Sequence, residues 1–177
     1  MFDHSDVRSN FPILSRQVNG KPLVYLDNGA SAQKPQVVID AISTAYSHEY
    51  ANVHRGLHYL SNLATDKYEN VRSIIARFLG VADERQIIMN SGTTEGINTV
   101  AYGWAMPRLQ PGDEILLSIM EHHANIVPWH FLRERQGVVV KWVETDAEGG
   151  LDPQTVIDAI TPRTKLLAIT QMSNVLG

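Results

Sequence analysis

Three short runs, "EILLS" (Glu114 to Ser118), "VVVKWV" (Val138 to Val143) and "LLAIT" (Leu166 to Thr170), recur with a helix-length segment between each pair. A run that is apolar on successive residues offers no face to water, so each reads as a strand buried on both sides. Strands of that kind are parallel and need a crossover, and the intervening segments supply one: a stretch reaching Arg135 and a short helix after Asp152-Pro153. The pattern predicts an α/β fold with a mostly parallel sheet and helices on both faces. In such sheets ligands gather beyond the carboxyl ends of the strands, so the residues that follow each run are the ones to search for chemistry.

The rest of the chain fits the same scheme. "VNGKPLVYLD" has a tight-turn signal at Asn19-Gly20 and predicts a strand ending at Asp27. Pro35 suits the first turn of a helix carrying Val38, Ile42 and Tyr46, and a second amphipathic helix carries Tyr68, Val71, Ile75 and Phe78 before Gly80 closes it. Both apolar stripes read as core. A further strand is expected at Gln86 to Met89, then a helix from about Thr94 that Pro107 ends. The segmentation is an N-terminal segment, 1–22, followed by a domain over 23–177.

Composition removes several function classes. The formal charge of -4 and pI near 5.9, with no basic cluster, argue against a nucleic-acid or anionic-membrane partner. No run approaches the roughly 18 apolar residues of a membrane span, and the opening "MFDHSDVRSN" carries two aspartates and no apolar stretch, so a cytoplasmic protein is expected. The absence of cysteine excludes disulfides, thiolate metal sites and a cysteine nucleophile within these residues.

Four segments carry residues suited to chemistry. In "MNSGTTEGIN" a strand gives way to a glycine turn and a helix, so the amides and hydroxyls of Thr93 and Thr94 face an anion at the positive helix end; an ordinary N-cap is the simpler alternative. "EHHANIVPW" puts His122 and His123 past a strand end, where a solvated pair is the plain reading. A metal site built from His54, His58, His122, His123 and His130 ranks below both, because no HExxH pattern occurs and Gly56 disfavours a helical His54/His58 pair. "NVHRGLHYLS" offers Arg55 in a glycine-containing loop, a planar fork for a carboxylate or phosphate, where a solvated arginine is the commoner case. "YLDNGASAQKP" places Asn28, Gly29 and Ala30 just beyond a strand, where a plain turn is equally compatible.

Taken in order, the Phe11-Pro12 segment and the motifs "YLDNGASAQKP", "NVHRGLHYLS", "SGTTEGIN", "EHHANIVPW" and "SNVLG" resemble the N-terminal portion of the class V aminotransferase group of pyridoxal-phosphate enzymes, specifically the SufS-like cysteine desulfurases. The resemblance implies the large domain of a pyridoxal-phosphate-dependent transferase, incomplete here and preceded by an N-terminal helical segment. It implies pyridoxal 5'-phosphate as cofactor, with Thr93 and Thr94 on its phosphate, His122 stacked on its ring and shuttling protons, and Asn174 on its phenolic oxygen. It implies Arg55 and Asn28 to Ala30 beside the substrate. The implied activity converts L-cysteine to L-alanine and a persulfide for iron-sulfur cluster assembly, in a homodimer that serves a sulfur-acceptor protein.

Ser91 stands where relatives often have arginine, and Gln171 where many have histidine, the latter matching a sister branch of the group. The family's Schiff-base lysine and persulfide cysteine fall beyond Gly177, and Lys21, Lys34, Lys67, Lys141 and Lys165 match no such motif. The chain is therefore expected to be a fragment without the covalent machinery. A selenocysteine lyase, another member of the group, or a catalytically silent half-domain remain open.

Overall fold

The structure, a computed structural model, describes residues 4–177 and divides into two units, Met1–Ile88 and Met89–Gly177.

In the first unit the chain opens with α1 (His4–Ser9) and a 3-10 turn, Pro12–Ser15. A two-residue hairpin follows, in which β1 (Gln17–Val18) pairs antiparallel with β2 (Lys21–Pro22). Its turn residues Asn19 and Gly20 have φ of 53° and 72°, the positive values that a right-twisting hairpin needs. The strand expected to run on to Asp27 does not form: pairing ends with the Leu23 amide on the Arg16 carbonyl, and Val24 and Leu26 are exposed. An extended run becomes a strand only where a neighbour completes the ladder, and the described residues provide none there. The Tyr25 hydroxyl instead donates to the carbonyls of Asp27 (3.1 Å) and Ser31 (2.7 Å), folding the segment on itself.

Next come α2 (Gln36–Thr44), extended by one wide π-type turn to Glu49, and α3 (Tyr59–Leu79), which ends in left-handed Gly80. The stripes expected to be core are largely uncovered: Val38, Ile42, Tyr46, Tyr68, Val71 and Phe78 are exposed, and only Ile75 is half-buried. An amphipathic helix gains from its apolar stripe only when another surface covers it, and within the described residues nothing does. The strand expected at Gln86 to Met89 is likewise replaced by a 3-10 turn, Glu84–Gln86, and irregular chain.

The second unit holds the sheet. After α4 (Thr93–Val100) and a π-type turn, Ala101–Ala105, come β3 (Glu114–Ser118), α5 (Val127–Gln136), β4 (Val139–Val143), α6 (Pro153–Ala159) and β5 (Thr164–Ala168). The three strands are parallel in the order β4-β3-β5, so β3 is central. Its side chains alternate between two cores, as a pleated strand requires. Ile115 and Leu117 pack with Ala101, Ala105, Trp129 and Leu132 on one face, and Leu116 packs with Val143 and Val156 on the other. All five β3 residues are buried, as their run predicts, whereas Val139, Trp142 and Leu167 are exposed. The correction follows from position, because β4 and β5 flank the only central strand among the described residues.

Candidate cofactor site

Helix α4 begins at Thr93, directly after Gly92 at φ 149° and ψ 173°, a conformation that L side chains rarely adopt. No side chain caps it. The Ser91 amide donates to Glu95 Oε2 (2.7 Å) and the Gly92 amide to Asn90 Oδ1 (2.9 Å), while the Gly96 amide closes the first helical turn on the Gly92 carbonyl. Among the described residues no acceptor serves the Thr93 and Thr94 amides, so two donors stand open at the positive end of the helix dipole. The Ser91 hydroxyl also donates to Glu95, and this bond, followed by the amide, holds the Glu95 carboxyl below the usual range.

Beyond the carboxyl end of β3 the chain makes a 3-10 turn, His123–Asn125, against which α4 packs. His122 caps that turn: its Nδ1 accepts from the Ala124 amide at 3.1 Å. A ring nitrogen that accepts carries no proton, so the neutral imidazole bears its proton on Nε2. His123 lies edge-on to His122, with ring centroids 6.2 Å apart, and both rings are exposed.

Beyond β5 the turn around Asn174 is held by buried Ser173, whose Oγ accepts from the amides of Val175 and Leu176, each at 3.1 Å. His122, His123, Asn174 and Glu121 line one cleft of about 320 Å³ at these strand ends, together with Val175 and Leu176. The Asn174 side chain makes no hydrogen bond among the described residues. No lysine lines the cleft.

The remaining candidates lie in the first unit. Asn28, Gly29 and Ala30 form an exposed turn in which Asn28 Oδ1 accepts from the Gln33 amide (3.1 Å) and the Ala30 amide reaches the Asp27 carbonyl. Arg55 is exposed and has no ion pair among the described residues. Its neighbours are tightly fixed. His54 has φ 72° and bonds Glu69 through Nε2 at 2.5 Å; the Gly56 amide donates to Ser61 Oγ (3.0 Å), which donates to the Asn52 carbonyl (2.6 Å). A Cβ at Gly56 would fall inside the buried Ser61 side chain, so only glycine permits this approach.

Thr93 and Thr94 do not line the cleft itself, but α4 packs on the turn that borders it, and the groups present suit an aromatic phosphate ester. Two unsatisfied amides suit the phosphate, an accessible imidazole suits an aromatic ring, and an uncommitted carboxamide suits a ring oxygen or nitrogen. Sequence reasoning passed over two residues, Glu121 and Asn125, as markers of a motif. In the structure they tie the strand ends together, and their only signal was a spacing of four on a turn.

A parallel sheet with helices between its strands and a cleft at its carboxyl edge defines an α/β protein whose strand ends are the place where such folds bind ligands. The chain belongs to the aminotransferase class-V family, whose profile matches residues 24–177. It is 51% identical over 177 residues to a probable cysteine desulfurase of Mycobacterium leprae, covering all of this chain and 29% of that protein. Among solved structures, the apo cysteine desulfurase of Thermococcus onnurineus matches with a TM-score of 0.88 at 36% identity, covering 100% of this chain and 42% of the other. The cysteine desulfurase CsdA of Escherichia coli matches with a TM-score of 0.79 at 40% identity, covering 99% and 43%. The chain thus spans less than half the length of the relatives it matches.

Proposed function

We propose that this chain forms the cofactor-gripping portion of a pyridoxal-phosphate-dependent cysteine desulfurase that converts L-cysteine to L-alanine and a persulfide. The observation that carries the reading is the meeting of His122 and Asn174 in one cleft at the carboxyl ends of β3 and β5, beside the turn on which α4 packs. When bound, pyridoxal phosphate supplies an electron sink that lets a bond at the substrate's α-carbon break. The Thr93 and Thr94 amides and hydroxyls take its phosphate, where the helix dipole favours negative charge without a buried cation. His122 would hold the aromatic ring, and its Nε2 is the nitrogen left to move a proton, since Nδ1 is committed to the Ala124 amide. The Asn174 carboxamide, on the same cleft, would donate to an oxygen of that ring.

The placement of Asn28, Gly29, Ala30 and Arg55 beside the substrate carboxylate rests on family resemblance and on the fork geometry of arginine. A homodimer and a sulfur-acceptor protein in iron-sulfur cluster assembly rest on family resemblance alone, and a cytoplasmic setting belongs to the same proposal. No helix among the described residues is long and apolar enough to cross a membrane. The thiol and the Schiff-base lysine of the reaction are not carried by these 177 residues: there is no cysteine, and Lys34, Lys67, Lys141 and Lys165 bond locally to Ala32, Glu49, Ala159 and Pro162.

Titrating the chain with pyridoxal phosphate and reading cofactor fluorescence tests the site. Saturable binding is expected, with no borohydride-trapped lysine adduct. Thr94→Val or Asn174→Ala should weaken it about tenfold, in line with the loss of one charge-assisted hydrogen bond. Binding unaffected by either substitution, or a specific adduct on one of the five lysines, would overturn the assignment. For the reaction, the chain is joined to the corresponding remainder of the Escherichia coli desulfurase and assayed for alanine release from cysteine. A folded, cofactor-loaded chimera that releases no alanine refutes the desulfurase reading.

A further inference from the structure

Glu121 is 8% exposed and ends the loop that leaves β3, yet no ion pair neutralises it among the described residues. Its charge is met by hydrogen-bond donors alone. Oε1 accepts from Ser118 Oγ at 2.5 Å and from the Thr170 amide at 2.9 Å; Oε2 accepts from Asn125 Nδ2 at 2.8 Å and from the same Thr170 amide at 3.1 Å. One carboxylate therefore grips the end of β3, the 3-10 turn, and the residue at which the chain leaves β5 for the Asn174 turn. Asn125 spreads the grip further, since Nδ2 also donates to the Ala168 carbonyl (3.0 Å) and Oδ1 accepts from Trp129 Nε1 (3.0 Å).

We propose that Glu121 is the positioning residue of the cleft, holding the His123–Asn125 turn through Asn125 so that the Ala124 amide stays on His122 Nδ1, and holding the Asn174 side through Thr170. A turn held only by its own backbone bonds, such as the Asn125 amide on the His122 carbonyl at 2.8 Å, would leave the imidazole free to exchange tautomers and rotate. With the turn locked, the proton sits on Nε2 and the ring is oriented before any ligand arrives. Second partners of this kind fix the tautomer of functional histidines in general, and their loss degrades a site without dismantling the fold. The proposal deepens the cofactor reading and rests on it for its purpose, while its geometry is set by the chain's own hydrogen bonds.

The test uses Glu121→Gln, which keeps volume while placing an amide donor where one of the donors now binds. In the chain labelled with ¹⁵N-histidine, the wild-type His122 ring should show two well-separated nitrogen shifts, one protonated Nε2 and one accepting Nδ1. In the variant they should move toward their mean, with Trp129 fluorescence and the unfolding cooperativity retained and pyridoxal-phosphate affinity lowered about tenfold. Asn125→Ala cuts the same link from the other side and should reproduce the shift. His122 shifts that are unchanged in a folded variant overturn the proposal. Failure of both variants to fold assigns the pair to folding alone and overturns it equally. If the tautomer responds to Glu121 while neither wild type nor variant binds pyridoxal phosphate, the positioning role stands and the cofactor reading falls.

Discussion

Glu114 shows how a single buried charge can be tolerated at the end of the sheet opposite the cleft. It is 2% exposed, and its carboxylate accepts from Thr161 Oγ1 (2.7 Å), from Arg163 Nε and Nη2 (3.1 and 2.9 Å) and from Thr164 Oγ1 (3.2 Å), with Lys141 Nζ at 3.6 Å. The Thr161 hydroxyl foremost, then Arg163 and Lys141, hold its carboxyl down to about 2, against its ordinary value of 4.5 and against the burial that pushes it up. A carboxyl with a lower value in the folded chain binds fewer protons there than when unfolded. Its stabilisation is therefore complete above about 4.5 and is lost as the pH falls toward about 2. Urea unfolding between these values should show a steep acid loss in the wild type and a shallower one in Glu114→Gln; superimposable curves would refute the assignment. From the sequence, Glu114 was only the first letter of an apolar run. Thr93, Thr94 and His122 were singled out by their motifs and Asn174 by family resemblance, and of these His122 and Asn174 line the same cleft; Glu121 was not, because its partners lie up to 49 residues away.

At the scale of elements, apolar runs with the same appearance met different fates. β3 was readable as a fully buried strand, and α5 as the crossover that returns the chain to β4, with Trp129 and Leu132 buried against the Ile115 and Leu117 face. Truncating Leu132 to alanine should cost about 2–5 kcal/mol, the range for a fully buried leucine. Val139→Ala on the exposed side of β4 should cost well under about 1 kcal/mol, as for surface positions generally. Urea midpoints of the two variants decide: equal losses would mean that β4 is as covered as β3. The strands expected at 23–27 and at Gln86 to Met89 failed for one reason. Periodicity reports which residues avoid water, but a ladder needs a second chain segment, and among the described residues none pairs with these two.

For the whole molecule, the two packed clusters belong to the unit Met89–Gly177, while α2 and α3 of Met1–Ile88 carry Val38, Ile42, Tyr46 and Phe78 uncovered. Apolar stripes of that extent on a chain in water favour association. Light scattering of the purified chain at tens of micromolar should show self-associated species that small amounts of detergent disperse. A monodisperse monomer with a single cooperative transition would show that these helices are stable uncovered.

The sequence by itself determined the α/β class, the three parallel strands, the glycine-led start of α4 and the order of motifs that places the chain in its family. These depend on local periodicity and on residue types whose backbone preferences travel with them. Only the tertiary structure decided which strand is central, which helical stripes lack a cover, and that Glu121 and Asn125 bind β3, the histidine turn and the end of β5 into one frame. Burial and hydrogen-bond partnership are properties of pairs of distant segments, and a linear pattern carries only one member of each pair.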